Sequence, residues 1–550
     1  MSLPEEYLLP LVFYAEIHFR FFRGMPSLLF RREPEILFDM PRRVVSGADL
    51  PLILLLNDIH KYPVLPESVQ VAISQSGSEP KLLSFTELES FRIAHPLESQ
   101  MLAYTIPIPR SELPEGEIYI NARLNYRRIR NGKPKGSPQT VLNDNLPTST
   151  KLPYRCNVTD QEFPGNSHCT FGDLHCHSLF SRSHVEFGPP PEIIRQVARA
   201  SGLHFVAITE HSYDLACSPD NFLQQDSNLG MWKLFGQSME TVRAGSEDVV
   251  LIQGEEVSCL NDEGKVVHLC GLGVEEFIPG TLDGARPNTV FKTQPTIVEA
   301  VRMIHRQGGL AFAAHPGARA GFMQQVFLNR GEWSESDLFD DLEGIQAVNS
   351  GFLASWQRGK RLWITMLQRD IRVPLLAGSD AHGDFNRYRA VGKPFVQIHE
   401  GPERYMGFVR TGLYGKHSTR EQILDAVRRC ATYVTNGPFA AINATGLKGD
   451  SLISSQTIEM PRELYVVASS TEEFGPIEKV VVYCGQRGSS EEEVVLSREC
   501  PGECYFYSEK IPAQSLPRKC YLRVEVGGKT ARGILTIAAT SGCFVEEAGG

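Results

Sequence analysis

Four short apolar runs punctuate the middle of the chain: His204 to Ile208, Val249 to Ile252, Leu310 to Ala314 and Val373 to Ala377. Each reads as a buried strand of a parallel sheet. Between them, segments 191–202, 296–309 and 356–370 carry apolar residues at helical spacing. Thr296 with Glu299 three residues later is a capping-box pattern, and Gly202, Gly308 and Gly309 are stop signals. Helix alternating with strand predicts a β/α barrel or a close relative. On either side the period shortens to two. Strand-like segments at 27–33, 51–58, 68–74, 102–108 and 117–126 predict an immunoglobulin-like β-sandwich, and segments 464–469, 477–485, 493–497, 504–511, 520–526 and 533–539 predict a second one. The expected division is 1–165 for the first sandwich and its linker, 166–438 for the barrel and 439–550 for the C-terminal sandwich. The basic run Arg127 to Ser137 reads as a solvated hairpin tip or loop, and Pro147 to Gly165 as an extended linker.

The strand ends carry the chemistry. His175 and His177 stand two apart at the end of a short strand, so their imidazoles share one face and make half a metal site. Downstream, the apolar runs lead into Glu210-His211, Glu255-Glu256, His315 and Asp380-Ala381-His382. Strand alternation sends Glu255 and Glu256 to opposite faces, and Cys176 away from its two histidine neighbours. Cys176 therefore reads as core.

The order HxH, TEH, GxE, H, AHP, SDAH between Thr170 and Pro438 resembles the PHP (polymerase and histidinol phosphatase) superfamily of metallohydrolases. The flanking sequences FGDLHCHS and TYVTNGPF are similar to its CehA/McbA branch. The resemblance implies a distorted (β/α)7 barrel holding two or three divalent ions. It implies His175, His177 and Asp380 at the first metal, with Glu256 bridging to a second held by His268 and His315. A third would be held by His184, His211 and His382, although His184 stands one residue later than the family spacing. The family usually has TDH where this chain has Glu210, longer by a methylene. Glu256, Asp380, His382 and Arg387 are the implied catalytic residues. Arg387 and Arg389, or Arg182 or Arg319, would meet a phosphate at the rim.

Histidine and carboxylate ligands without thiolate suit Zn, Mn or Fe and leave positions open for water. Two such ions about 3.5–4 Å apart make a nucleophile from water at neutral pH, which is chemistry for hydrolysis. A phosphoesterase acting on a small phosphate ester is the first expectation. Carbamate or carboxylic ester hydrolysis of the CehA/McbA type is the second, and a non-catalytic metal-binding accessory module the third. The long stretches 212–248, with Phe222, Trp232 and Phe235, and 275–295 are expected to form a lid or pocket wall.

Composition narrows the partners. A net charge of −10 over 550 residues provides no basic footprint for a nucleic-acid polymer, whereas a small anionic substrate remains compatible through local cations. Twelve cysteines without a repeating spacing read as reduced thiols of an intracellular chain. Tyr7 to Ile17 is apolar but follows Glu5 and Glu6, unlike a signal peptide, and no run approaches the roughly 20 apolar residues of a membrane span. A cytoplasmic protein without a membrane partner is expected. No phosphate-binding or dinucleotide glycine fingerprint is present. His204, His305 and His399 read as structural or exposed.

Overall fold

The computed structural model describes residues 33–546, except 146–150, 183–186, 246–247, 283–289, 353, 384, 387–404, 444–456, 460–462, 487, 490, 513–515 and 518. The apolar segment Tyr7 to Ile17, most of the strand expected at 27–33, and His184, Arg387, Arg389 and His399 lie outside the described residues.

The strand Leu50–Asn57 is buried at every position, and alternation explains why. Leu50, Leu52, Leu54 and Leu56 point into the N-terminal core with Phe38, Val71, Tyr104 and Ile120. Ile53 and Leu55 point the other way, into the core of the central segment. One strand thus closes a sandwich and docks it, each buried aliphatic side chain contributing roughly 1.5–3 kcal/mol. Its antiparallel neighbours are Glu35–Asp39 and Met101–Ile108. The facing sheet runs Arg43–Val45, Tyr154–Thr159, Gly116–Arg130, Val64–Ser74, Lys81–Phe85, with Lys133–Leu142 also paired to Gly116–Arg130. The basic run forms the tip of that last hairpin, where Asn131 (φ 52°) and Gly132 (φ 74°) make the left-handed turn that hairpins favour. Six of the nineteen residues of the expected linker form a strand. Tyr154–Thr159 pairs with Gly116–Ile120 and, in parallel, with Arg43–Val45.

The expected (β/α)7 barrel is not what the middle of the chain forms. Among the described residues from Cys169 to Thr435 there are 12 strands against seven α-helices, so strand exceeds a one-to-one alternation. The central strands belong to a 16-stranded mixed sheet, ordered Leu375–Gly378, Ile345–Asn349, Leu310–Ala313, Val266–Leu272, Val250–Leu260, Phe205–His211, Cys169–His177, Arg410–Tyr414, Thr432–Thr435. The sheet continues without a break into the C-terminal strands Leu535–Thr540, Cys520–Lys529, Ile477–Gln486 and Glu492–Glu499. Parallel pairing holds where a helix crosses over, as Pro191–Ser201 does between Cys169–His177 and Phe205–His211. It fails where the connection is short. Residues 261–265, turning at Gly264 (φ 70°), fold Val250–Leu260 back on Val266–Leu272 as an antiparallel hairpin. Among the described residues no ladder joins Leu375–Gly378 to Cys169–His177; only the two-residue strand Ala381–His382 bridges to Cys176–His177.

The local signals are where the sequence puts them. Thr296 and Glu299 form the capping box of Ile297–Arg306, and Gly202 (φ 85°) ends Pro191–Ser201. Within the stretch 212–248 expected as a lid or pocket wall, helix Gly230–Gly245 buries Phe235 against Phe180 at 5.3 Å and Trp232 against Phe277 at 6.0 Å. The side chain of Phe222 lies outside the described residues. A second three-stranded sheet, Phe439–Asn443, Leu464–Ser469 and Phe506–Ile511, completes the C-terminal segment. Among the described residues no helix is long and apolar enough to cross a membrane.

Candidate metal centre

Six of the central strands, or the loops leaving them, deliver one or two side chains each to a single point. Cys169–His177 brings His175 and His177, Phe205–His211 brings His211, and Val250–Leu260 brings Glu256. Val266–Leu272 brings His268, and the loop after Leu310–Ala313 brings His315. Asp380 and His382 follow Leu375–Gly378, where His382 pairs with His177 in register. All eight described candidates therefore converge, and three subsets have ligand atoms mutually close enough to hold an ion: His177, His211 and His382; His175, His177, Glu256 and Asp380; His211, Glu256 and His268.

Glu256 lies at the centre. Its Oε1 accepts from His268 Nδ1 and from His315 Nε2 at 2.9 Å. Its Oε2 is buried and accepts no hydrogen bond from any described residue, yet His211 Nδ1 lies 2.8 Å away and His175 and His177 Nε2 each 3.4 Å. Burial alone would raise the pKa of this carboxyl, but His268, His175 and His211 outweigh it and hold it well below the usual range. Asp380 is held down in the same way by His175 and His177 against its own burial. Glu255 points to the opposite face, as alternation requires. It accepts from the Ile278 amide at 3.0 Å, and burial pushes it up to about 8.

The surrounding hydrogen bonds set the tautomers. Ser181 donates its one hydroxyl proton to Glu210 at 2.6 Å, so its oxygen accepts from Nδ1–H of His177 at 3.1 Å. Gln346 donates its amide to Asn349 Oδ1 at 3.0 Å, so its oxygen accepts from Nδ1–H of His175 at 2.8 Å. His382 donates Nδ1–H to the Asp380 carbonyl at 3.1 Å. His177 and His382 are thereby left with a bare Nε2 aimed inward, and His175, whose pKa is raised well above its ordinary value against its burial by Cys270, Glu256 and Asp380, offers its Nε2 once a metal displaces the proton. Nε2 of His177 lies 3.2 Å from that of His175, and Nε2 of His211 lies 3.1 Å from that of His382. Lone pairs crowded this closely repel unless a cation lies among them, and burial with the neighbouring His382 and His211 keeps His177 well below its ordinary pKa. Together with the Glu256 oxygen, this donor set could hold a metal ion. The long Glu210 has its own place: it accepts from the Ser178 amide at 3.0 Å and from Ser181, and so orients His177 through the serine.

Backbone strain concentrates at the same point. His315 (φ 32°) and Asp380 (φ 53°) both occupy left-handed conformations that cost non-glycine residues on the order of 1–3 kcal/mol. A hydrogen bond from the Asp380 amide to the His175 carbonyl at 2.8 Å holds one of them. Gly378 allows the close approach behind it, since a Cβ there would lie 2.5 Å from the Cβ of His175.

Four residues of the centre escape sequence reading. Gln346 and Asn349 lie on Ile345–Asn349, a strand not anticipated, and Asn349 donates to Asp380 Oδ2 at 3.1 Å. Its five residues, Ile-Gln-Ala-Val-Asn, carry no alternation that would mark it as a strand. Arg330 and Trp333 donate to His268, to ring nitrogen and to carbonyl respectively, from an irregular segment without periodicity. Arg330 and Arg319 line a cavity of about 80 Å³ that opens on His268, His315 and Asp380. Arg182, by contrast, is buried and donates to Gln100 at 2.7 Å and Asn57 at 2.9 Å, pinning the N-terminal sandwich instead of facing that cavity. His204 and His305 are structural: the first accepts from the Phe171 amide at 3.1 Å, and the second pairs with Glu343 at 2.8 Å.

No protein-family model and no curated protein matches the chain. Among solved structures, a calcium-binding mutant of Bacteroides uniformis β-glucuronidase 2 aligns with 7% identity over 94% of this chain and 61% of its own, at a TM-score of 0.17. The Parabacteroides merdae β-glucuronidase with glycerol in its active site aligns with 9% identity over 94% and 64%, at 0.16. A putative β-galactosidase from Bacteroides fragilis aligns with 10% identity over 94% and 73%, at 0.15. The chain thus spans about three fifths of the length of the first of these, and at such scores the likeness carries no inference about fold or activity.

Proposed function

We propose that this chain is a metal-dependent hydrolase of small phosphate esters, with the motif order of the PHP metallohydrolases. The observation that supports it is the convergence of six histidines on the buried Glu256 and the half-buried Asp380, beside a cavity lined by two arginines. Divalent ions, two or three of Zn, Mn or Fe, supply Lewis-acid polarisation and an acidified water when bound. The chain's own residues prepare the ground for that chemistry. Ser181, Gln346 and the Asp380 carbonyl hold three imidazoles with Nε2 inward, and Asn349 holds one oxygen of Asp380 so that the other faces His177 at 3.2 Å. Arg319 lines the cavity and its guanidinium matches phosphoryl oxygens, while Arg330, which donates to His268, adds positive charge to the same wall. The substrate is a small anionic molecule, and twelve cysteines at irregular spacing support a reducing, cytoplasmic location.

The test is metal content of the purified protein together with hydrolysis of p-nitrophenyl phosphate, bis-p-nitrophenyl phosphate and a naphthyl carbamate in added Mn or Zn. Bound metal with phosphoester turnover that Glu256→Gln abolishes supports the reading. Turnover of the carbamate alone replaces it with ester hydrolysis, and a protein that retains no metal removes catalysis altogether.

A further inference from the structure

Of the twelve cysteines ten are buried, and only Cys500 and Cys504 reach the surface. They frame the connection by which the chain passes from Glu492–Glu499 on the 16-stranded sheet to Phe506–Ile511 on the three-stranded one. Pro501, Gly502 and Glu503 between them are exposed, and Gly502 (φ 80°) supplies the left-handed turn.

The sheet fixes how far apart the two cysteines lie. Glu499 faces Lys479 in register, and the Cys500 amide donates to the Glu478 carbonyl at 2.8 Å. The amide of the next residue along that strand, Ile477, donates to the Cys504 carbonyl at 2.7 Å. The chain thus leaves the ladder at Cys500 and rejoins it one position further along at Cys504, with the residues between looped out. Successive strand positions are about 3.4 Å apart, so the two backbones are held inside the limit of about 7 Å beyond which a disulfide needs backbone movement. The Cys500 thiol hydrogen-bonds to the Cys504 sulfur, and the Cys504 thiol donates to the Phe506 carbonyl at 3.3 Å. Burial and the adjoining Cys504 push Cys500 up to about 11, so it keeps its proton at neutral pH. Cys484 and Cys520 also approach each other, but both are buried and two residues out of register, since Cys520 pairs with Gln486.

We propose that Cys500 and Cys504 are a modification site, a dithiol that a small-molecule disulfide such as glutathione disulfide oxidises to an intramolecular disulfide. Cys504, as thiolate, attacks one sulfur of glutathione disulfide; a mixed disulfide forms and one glutathione thiolate leaves. Cys500 then gives its proton to solvent and attacks the Cys504 sulfur, so that the Cys500–Cys504 bond forms and the second glutathione leaves. The chain loses two electrons and two protons, and the oxidant takes them up as two thiols. The new bond staples the corner between the two sheets, and its exposure leaves it reducible by thiols.

The full chain, folded, is treated with about 1 mM glutathione disulfide, alkylated with iodoacetamide and digested with trypsin. The tryptic peptide Glu499 to Lys510 holds both cysteines and no other. It is expected to lose two hydrogens and both alkylation sites, and to regain them on treatment with dithiothreitol. Cys500→Ser is expected to stop at a glutathione adduct on Cys504, which the parent does not accumulate. The peptide map of the parent decides the matter even where that variant fails to fold. The proposal is overturned if both thiols of the parent stay alkylatable, if the parent stops at the mixed disulfide, if folded Cys500→Ser takes up no glutathione, or if the bond maps to another pair such as Cys484 and Cys520.

Discussion

Replacing Gln346 by Leu removes one acceptor from the metal centre and leaves every proposed ligand in place. The side chain is fully buried, so no solvent takes over its role. Its oxygen accepts from His175 Nδ1 at 2.8 Å and from the His315 amide at 3.4 Å, and its amide donates to Asn349, which in turn holds Asp380. In the variant, Nδ1–H of His175 has no acceptor, or the ring changes tautomer and turns a proton inward where Nε2 should be bare. An unsatisfied buried donor costs about 1–3 kcal/mol, which converts to a loss of roughly 5- to 150-fold in metal affinity. That range brackets the 10- to 100-fold typical of outer-sphere partners of metal ligands. The assay is competition with a chromophoric chelator, alongside circular dichroism to confirm that the chain is folded. A folded Gln346→Leu variant with metal affinity within twofold of the parent would refute the tautomer argument.

Three further outcomes follow from the same geometry. Gly378→Ala inserts a Cβ 2.5 Å from that of His175 and 3.0 Å from its amide, so loss of metal and of turnover is expected without loss of secondary structure, read by metal analysis and circular dichroism. Arg182→Met strips Gln100 and Asn57 of their buried donor and is expected to destabilise by about 3–5 kcal/mol in urea unfolding, the cost of breaking a buried charged network. His95, whose pKa burial lowers to about 4 against the pull of Glu98, is neutral in the native state and binds a proton more readily unfolded. Its contribution is therefore intact above pH 6.5 and is lost as pH falls towards 4, by up to about 3 kcal/mol, and His95→Gln should flatten that part of the stability profile relative to the parent.

Much of the candidate site was legible because it is local. Alternation within Cys169–His177 places His175 and His177 on one face and Cys176 on the other, where its thiol meets the Ala207 carbonyl at 3.4 Å. The same rule separates Glu256 from Glu255. Ile345–Asn349 escaped notice because five residues are too few to carry a period, and Gln346 and Asn349 went with it. Arg330 escaped because nothing near it in sequence marks the backbone bonds to Val266 that set it beside His268.

What the sequence determined by itself is the set of elements and the faces they present: caps, glycine stops, strand alternation, and the motif residues at strand ends. These depend on φ, ψ preferences and side-chain direction within a few residues, which the local text encodes. Only the tertiary structure decided how the strands add up. Whether a strand runs parallel depends on the length of the connection before it, and whether a sheet closes depends on which edges find partners hundreds of residues away. The five-residue turn at 261–265 reverses one strand, and Thr432–Thr435 offers its free edge to Leu535–Thr540 instead of ending the sheet. The expected (β/α)7 barrel thereby becomes a mixed sheet, while the histidines and carboxylates still meet because that sheet curls until Ala381–His382 pairs with Cys176–His177.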